Sequence, residues 1–413
     1  MIESNLHNKY LKNFFISIPL ILFFISMFNF VIDPYGIYNS TEIKGLNMNK
    51  PAIKSHLRMS KAYKIKHLKP QAIILGTSRA EFGLDPDHRG FDFDTTYNLN
   101  LSGGNTYEIL RYFQHAIMVS NIDQTILALD FFQFNINTKN SPDFLENRLA
   151  SYSDNIESTQ RMPLSDIIDS LLTFDAFKSS LETIASQSSK PTYLKNGLID
   201  PETTSRGKLI NIIGQRQLFI NSEKRYFDKT YRNMKLKSTE NNLNSLSNFR
   251  NLVSLAYKKN IDLRILINPS HVRQFEVIAL SGLWPTFEAW KVSLAEINEE
   301  EAKLNKKEPF PIWDFSTYNF FTTERVPELG DIDTKMNWYW ESSHFSKELG
   351  DIVLDNIFGY PVKDNSPKKY FGTLINTNNI YSHLQNIRVK RDIWRNENLE
   401  DIKEIESLSK EIH

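Results

Sequence analysis

The stretch "AIILGTSRAEFGLDP", residues 72–86, decides how this chain is read. A short run of strand-forming apolar residues, Ala72 to Leu75, passes directly into a small polar turn, Gly76-Thr77-Ser78-Arg79. A bounded run of this kind marks a buried strand, and a helix is the usual element after such a turn. The turn can display Ser78 as a nucleophile, or it can use the same hydroxyl to cap the next helix. These residues by themselves leave both roles open.

Similar runs recur at "TTYNLNL" (95–101), "TILALDF" (125–131), "DLRILIN" (262–268) and "FPIWDF" (310–315). Between them the spacing of apolar residues predicts helices over 106–119, 243–259 and 272–304, the last broken near Trp284-Pro285. Strands alternating with helices imply an α/β protein whose mainly parallel, five-stranded sheet forms the middle of a three-layer αβα sandwich. This domain takes residues 71–358. In such sheets ligands bind outside the carboxyl ends of the strands, where Ser78, Gly103, Asp130 and Asn268 fall.

The interval 135–242 is far longer than an ordinary strand-to-helix connection, so it is expected to be an insertion with its own structure. Segments such as "LSDIIDSLLTFDAFKSSLETIAS" (164–186) make it largely helical. Residues 359–413 turn polar and charged and read as a partly helical, exposed tail.

At the other end, "FFISIPLILFFISMFNFVI" (14–32) carries no charge and is long enough to cross a bilayer as a helix. Lys9 and Lys12 precede it and no small-residue cleavage site follows before "DPYGIY", so residues 1–33 are expected to be a tail and an uncleaved anchor in the lipid bilayer. The bulk of the chain is then expected on the extracytoplasmic side, and residues 34–70, with turn residues and little periodicity, form a membrane-proximal connector.

Composition narrows the chemistry. The chain has 413 residues, 40% of them hydrophobic, enough for a substantial core. Lysine plus arginine and aspartate plus glutamate both number 49, and no basic stripe stands out, so nothing favours a nucleic-acid partner. The absence of cysteine excludes thiol nucleophiles, disulfides and thiolate metal sites, and no metal-ligand spacing or Walker loop is present. No cofactor or metal is expected.

Two further segments bear on Ser78. In "WYWESSHFSKELG" (338–350), Glu341 stands three residues before His344, just ahead of a helix starting near Ser346. A serine hydroxyl needs a positioned base, and that base needs a carboxylate to fix its tautomer. Glu341 and His344 are the residue types for that work, although an isolated acid-x-x-His is also an ordinary capping sequence. In "NLNLSGGNTYEIL" (98–110), Gly103, Gly104 and Asn105 form a turn whose amides can approach a substrate oxyanion at a helix N-terminus.

That ordered series, a serine turn after the first strand, a glycine turn after the second and acid-x-x-His after the last, resembles the SGNH (GDSL-like) hydrolase superfamily. The resemblance is to a membrane-anchored branch related to the accessory proteins of alginate O-acetylation and teichoic-acid D-alanylation, and it covers about residues 70–358. It implies Ser78 as nucleophile, His344 as base, Glu341 in place of the usual aspartate, and Gly103 or Gly104 at the oxyanion hole, with Asn105 as a further donor. The implied activity is a metal-independent serine acyl esterase or O-acyltransferase on a cell-envelope or extracellular polysaccharide. A transferase would imply a multispanning membrane acyltransferase as partner. The family's block III asparagine is not evident, and Asp130 stands near its place; a catalytically weak scaffold or glycan-binding protein with the same fold is therefore the competing expectation.

Remaining candidates are substrate-binding. Arg79 can hold a carboxylate or phosphate, or pair with Asp85 or Glu81. Asp130 can bind a sugar hydroxyl or cap the following segment. Asn268 and His271, in "LINPSHVRQ", can orient substrate or cap a turn. Trp340, with Trp338 and Tyr339, can stack on a sugar face or pack in the core.

Overall fold

The computed structural model describes residues 2–150, 161–238, 243–360 and 366–412. Residues 151–160 and 239–242 of the expected insertion, and 361–365 of the expected tail, lie outside the described residues. Two compact units emerge: Met1–Leu68 with Asp143–Tyr193, and Lys69–Pro142 with Leu194–His413.

The second unit is α/β. All five expected strands form: β1 (Ala72–Leu75), β2 (Thr96–Asn98), β3 (Gln124–Leu129), and, after a small antiparallel pair β4 (Lys237–Ser238) and β5 (Leu243–Asn244), β6 (Asp262–Ile267) and β7 (Ile312–Asp314). A sixth strand, β8 (Thr373–Ile375), completes the sheet in the order β2-β1-β3-β6-β7-β8. Every pairing is parallel except that of β8 with β7. β1 and β3 are buried along their whole length, as continuous apolar runs in a parallel sheet should be.

The helices follow the predicted spacing closely: Thr106–Val119, Ser245–Lys259, Val272–Leu280 and Trp284–Asn305. Asn105 caps the first by accepting from the Glu108 amide, and Ser346 caps Lys347–Ile357 by accepting from that of Leu349.

The sheet thus has six strands, not five, and the chain beyond 358 is not a solvated tail. Phe371 packs on Phe315 and Phe321, and β8 pairs Ile375 with Ile312. Helices Ile380–Glu397 and Leu399–Ile412 follow, the latter with Ile402, Ile405 and Leu408 buried. Its mixed charge is spent on ion pairs rather than on water: Asp401 and Glu404 reach Arg273 at 2.6 and 2.7 Å, and Arg216 at 2.8 and 3.2 Å. Arg273 is fully buried and also pairs with Glu223 at 2.8 Å. Removing one partner of such a cluster leaves buried charge uncompensated, so Arg273→Ala is expected to cost about 3–5 kcal/mol. Guanidinium unfolding checks this; an unchanged midpoint would mean the cluster contributes nothing to docking the last helix.

The first unit gathers the N-terminal helix Ile2–Ile32, the helix Leu57–Leu68, and two helices, Leu164–Leu171 and Phe174–Ala185, within the segment 164–186 that was expected to be helical. Thr173 breaks them by capping the second, its hydroxyl accepting from the Ala176 amide at 3.1 Å. Residues 34–70 are more than a connector: Tyr35, Ile37, Ala52, Met59 and Tyr63 form a small core with Ala176. Asp33 begins it, its carboxylate accepting from the amides of Ile37 and Tyr38. This core escapes periodicity because the buried face of Leu57–Leu68 also holds Arg58, Ser60 and Lys61. The interval 135–242 is likewise not one subdomain: Asp143–Tyr193 belongs to the first unit and the chain from Leu194 to the second.

The N-terminal helix is long and apolar enough to cross a membrane over His7–Ile32, and most of that segment is exposed. This is consistent with a single-pass anchor.

Candidate active site

β1 ends against its neighbour so tightly that residue 76 must be glycine: a Cβ there would lie 2.5 Å from the Ala128 carbonyl oxygen. The chain then turns into the helix Ser78–Gly83. Thr77 is the cap, its hydroxyl accepting from the Arg79 amide at 3.3 Å and donating to Asp130 at 2.5 Å. With capping done by Thr77, the Ser78 hydroxyl is left for another partner. That partner is His344, whose Nε2 lies 2.9 Å from Ser78 Oγ.

The imidazole's other nitrogen, Nδ1, contacts the Glu341 carboxylate. A carboxylate only accepts, so Nδ1 carries the proton and Nε2 offers a lone pair to the serine hydroxyl. Glu341 is itself fixed by the Ser343 amide at 3.0 Å and hydroxyl at 2.8 Å. Burial opposes the charge on Glu341, but His344 and Arg206 outweigh it and hold the carboxyl well below its usual range. Burial pushes His344 down to about 4, with the Arg206 guanidinium acting the same way and Glu341 opposing. Near neutral pH the pair is therefore ionised carboxylate and neutral imidazole, the state a general base requires.

Ser78 and His344 are joined by close packing between their helices. Gly83 faces the ring of Phe345, where a Cβ would lie 1.9 Å away, and a Cβ on Gly350 would fall 1.6 Å from the Gly83 carbonyl oxygen. Gly350→Ala must push Lys347–Ile357 off Ser78–Gly83; overpacking of this kind costs about 1–3 kcal/mol. A site misplaced by about 1 Å loses about 10²-fold in rate. Calorimetry with turnover per folded molecule checks both, and a destabilised variant with full activity would contradict the coupling.

The loop carrying Glu341 and His344 is tied down on several sides. Gln215 donates to the Tyr339 carbonyl at 2.7 Å and accepts from the Met336 amide at 2.6 Å. Glu324 accepts from the amides of Asn337 and Trp338, and the His271 amide donates to the Ser342 carbonyl at 3.1 Å.

Arg206, which no motif in "TTSRGK" signals, stands 3.7 Å from Glu341 through Nε and lies over the ring of Phe82 at 5.0 Å. Phe82 in turn packs on His344. Since Arg206 depresses His344, Arg206→Gln is expected to raise the imidazole's value and to move the acid limb of kcat/KM upward from about 4. A pH-rate profile checks this; an unmoved limb would mean the guanidinium does not act on the base.

Several expected substrate ligands are instead structural. Arg79 is buried and pairs with Asp130 at 2.9 Å, not with Asp85 or Glu81, and donates to Ser270 at 2.6 Å and to Tyr226 at 3.0 Å. Asp130 also accepts from Asn268 at 3.1 Å and forms a capping box with Gln133, so both of its oxygens are committed. His271 is buried, its Nδ1 accepting from the Arg273 amide at 3.3 Å and its Nε2 reaching the Glu324 carbonyl at 2.7 Å. Arg79, Asp130, Asn268 and His271 therefore brace the floor of the site and are withdrawn as substrate ligands. Trp340 stays half-buried beside His344, its indole N–H buried and without an acceptor among the described residues.

The glycine turn lies next to the serine turn, because the Leu101 amide donates to the Gly76 carbonyl at 2.9 Å. Gly104 spends its amide on the Leu101 carbonyl at 2.8 Å. Asn105 gives its side-chain amide to Thr138 at 3.1 Å and Asn140 at 2.9 Å, so it is withdrawn as an oxyanion donor. Gly103 is exposed, has φ +66°, and among the described residues no acceptor takes its amide. Among the described residues no group of acidic and histidine side chains is arranged to hold a metal ion.

Compared with known protein families the chain matches none, and no curated protein matches it.

Proposed function

We propose that the chain is a membrane-anchored serine acyl esterase or O-acyltransferase of the SGNH type, its sheet the middle layer of a three-layer sandwich. The observation that carries this is the line Glu341–His344–Ser78, with Nε2 2.9 Å from the hydroxyl oxygen. Ser78 Oγ attacks an acyl carbonyl while its proton passes to His344 Nε2. The tetrahedral intermediate collapses, and His344 returns that proton to the departing alcohol oxygen. Water, or a sugar hydroxyl, then gives its proton to His344 and takes the acyl group from Ser78, and His344 returns the proton to Ser78 Oγ as the ester bond to Ser78 breaks. The Gly103 amide and that of Ser78 are the donors for the oxyanion.

An acetyl group on a cell-envelope or extracellular polysaccharide is the substrate class that fits the resemblance, with the catalytic unit on the extracytoplasmic side of the anchor. If transfer rather than hydrolysis is the physiological reaction, a multispanning membrane acyltransferase would supply the acyl group. Full-length protein in lipid nanodiscs, given p-nitrophenyl acetate and acetylated oligosaccharides, is expected to release acetate, and to lose this in Ser78→Ala and His344→Ala.

One observation favours a second reading, a catalytically weak glycan-binding scaffold. Asp130, where the family has an oxyanion-hole asparagine, is an ion-paired acceptor with nothing to donate. Losing one oxyanion donor costs about 2.7–4 kcal/mol of transition-state stabilisation. A folded protein that binds the oligosaccharide but turns over no ester would favour this reading.

A further inference from the structure

In the first unit, the helices Leu164–Leu171 and Phe174–Ala185 are built inside out. Their buried positions are polar or small: Asp166, Ser170, Ala176, Ser180 and Thr183. Large apolar side chains stand among their exposed positions, with Leu164 at 69%, Ile168 at 43%, Leu172 at 41%, Phe174 at 78% and Leu181 at 49%. Residues 164, 168 and 172 share one stripe by their spacing of four, and 174 and 181 share another by their spacing of seven. A helix packed on a water-soluble core has the opposite arrangement.

The buried side carries a polar network around Asp166, Ser170 and Ser180. Asp166 pairs with Arg148 at 2.7 Å and accepts from the Tyr63 hydroxyl at 2.7 Å, while Ser170 donates to the Asp166 carbonyl and meets Tyr38 Oη at 2.5 Å. Both helices also hold the last turns of Ile2–Ile32: Asn29 donates to the Leu171 carbonyl at 2.9 Å and accepts from Ser180 at 2.8 Å, and Phe28 packs on Phe177. The helices that carry the apolar stripes thus pack directly on the end of the apolar helix, where Met27, Phe30 and Val31 are likewise exposed.

We propose that the Leu164–Leu171 and Phe174–Ala185 helices are a second membrane-contacting element, seated in the interfacial layer of the bilayer around the end of the spanning helix. The proposal rests on Ile2–Ile32 being the span, and is independent of the acyl chemistry. At ~1.5 Å per residue the two helices reach ~12 and ~18 Å, too short for a hydrocarbon core of ~30 Å. They lie in the interface rather than cross it. Asp169, Asp175 and Glu182 are exposed beside the stripes, and Lys178 is the single exposed base in the two helices, so anionic lipid gives no attraction and apolar burial drives the seating.

The chain has no cysteine, which makes single-site labelling direct. Nitrobenzoxadiazole would be attached to Ile168→Cys, Leu172→Cys and Leu181→Cys in the full chain, in phosphatidylcholine nanodiscs with doxyl-lipid quenchers. Phe23→Cys marks the span and Ser188→Cys the aqueous side. Blue-shifted, quenched emission at 168, 172 and 181, as at 23 and unlike 188, is expected. Quenching at 23 alone overturns the proposal and leaves the anchor standing; no quenching at 23 removes the span on which it rests. The unmodified chain, irradiated with a diazirine-bearing phosphatidylcholine, guards against misfolded variants: lipid adducts within 164–185 are expected. Their absence beside adducts in 14–32 leaves the stripes to a protein partner and overturns the lipid assignment.

Discussion

Ser78→Ala is expected to lower ester turnover by about 10⁴- to 10⁶-fold, the scale lost when the nucleophile of a serine triad is removed. The reason is local. Thr77 caps the helix and Asp130 holds Thr77, so the Ser78 hydroxyl has no capping duty and one strong partner, His344. Its removal deletes the attacking oxygen while the turn keeps its packing against Ala128. Stability should therefore change little. Steady-state hydrolysis with thermal melting checks both, and a variant with wild-type turnover would place the chemistry elsewhere.

Glu341→Gln is expected to cost about 10⁴-fold, although the side chain keeps its size. The carboxylate accepts from His344 Nδ1 and from Ser343. An amide placed there can present its NH₂ to Nδ1, which moves the imidazole proton to Nε2 and leaves no lone pair for Ser78. It also removes the negative charge that would stabilise the imidazolium formed during attack. Because Glu341 raises the His344 value, its loss lowers that value further, so raising the pH should not restore the rate. Activity of Glu341→Gln across the pH range is the check, and recovery at high pH would contradict this account of Glu341.

Much of the α/β unit was legible because it is written locally. Apolar runs ending in small or polar residues located β1, β2, β3, β6 and β7, and the Ser78, Glu341 and His344 motifs each sit within a few residues of a strand or helix end. What was missed depends on pairing across the chain. Arg79 read as a ligand for a carboxylate or phosphate, or as a partner of Asp85 or Glu81, because Asp130 is distant in sequence; the Asp130 pair forms only when β1 lies in register with β3, Leu75 opposite Leu127. Asp401 and Glu404 looked solvated because nothing nearby in sequence shows that Arg273 lies beneath them. Arg206 had no motif at all, and only the fold sets it beside Glu341. The helices within 164–186 were legible as helices, but nothing in the sequence shows that their large apolar residues face away from the protein.

The most direct test of the central claim is a fluorophosphonate adduct map. Full-length protein in nanodiscs would be treated with the probe, digested and sequenced by mass spectrometry, alongside Ser78→Ala and His344→Ala. A single adduct on Ser78, absent from the alanine variant at 78 and strongly reduced without His344, is the predicted result. A folded wild-type chain that carries no adduct, or one whose labelling survives Ser78→Ala, would contradict the assignment of Ser78 as a nucleophile activated by His344.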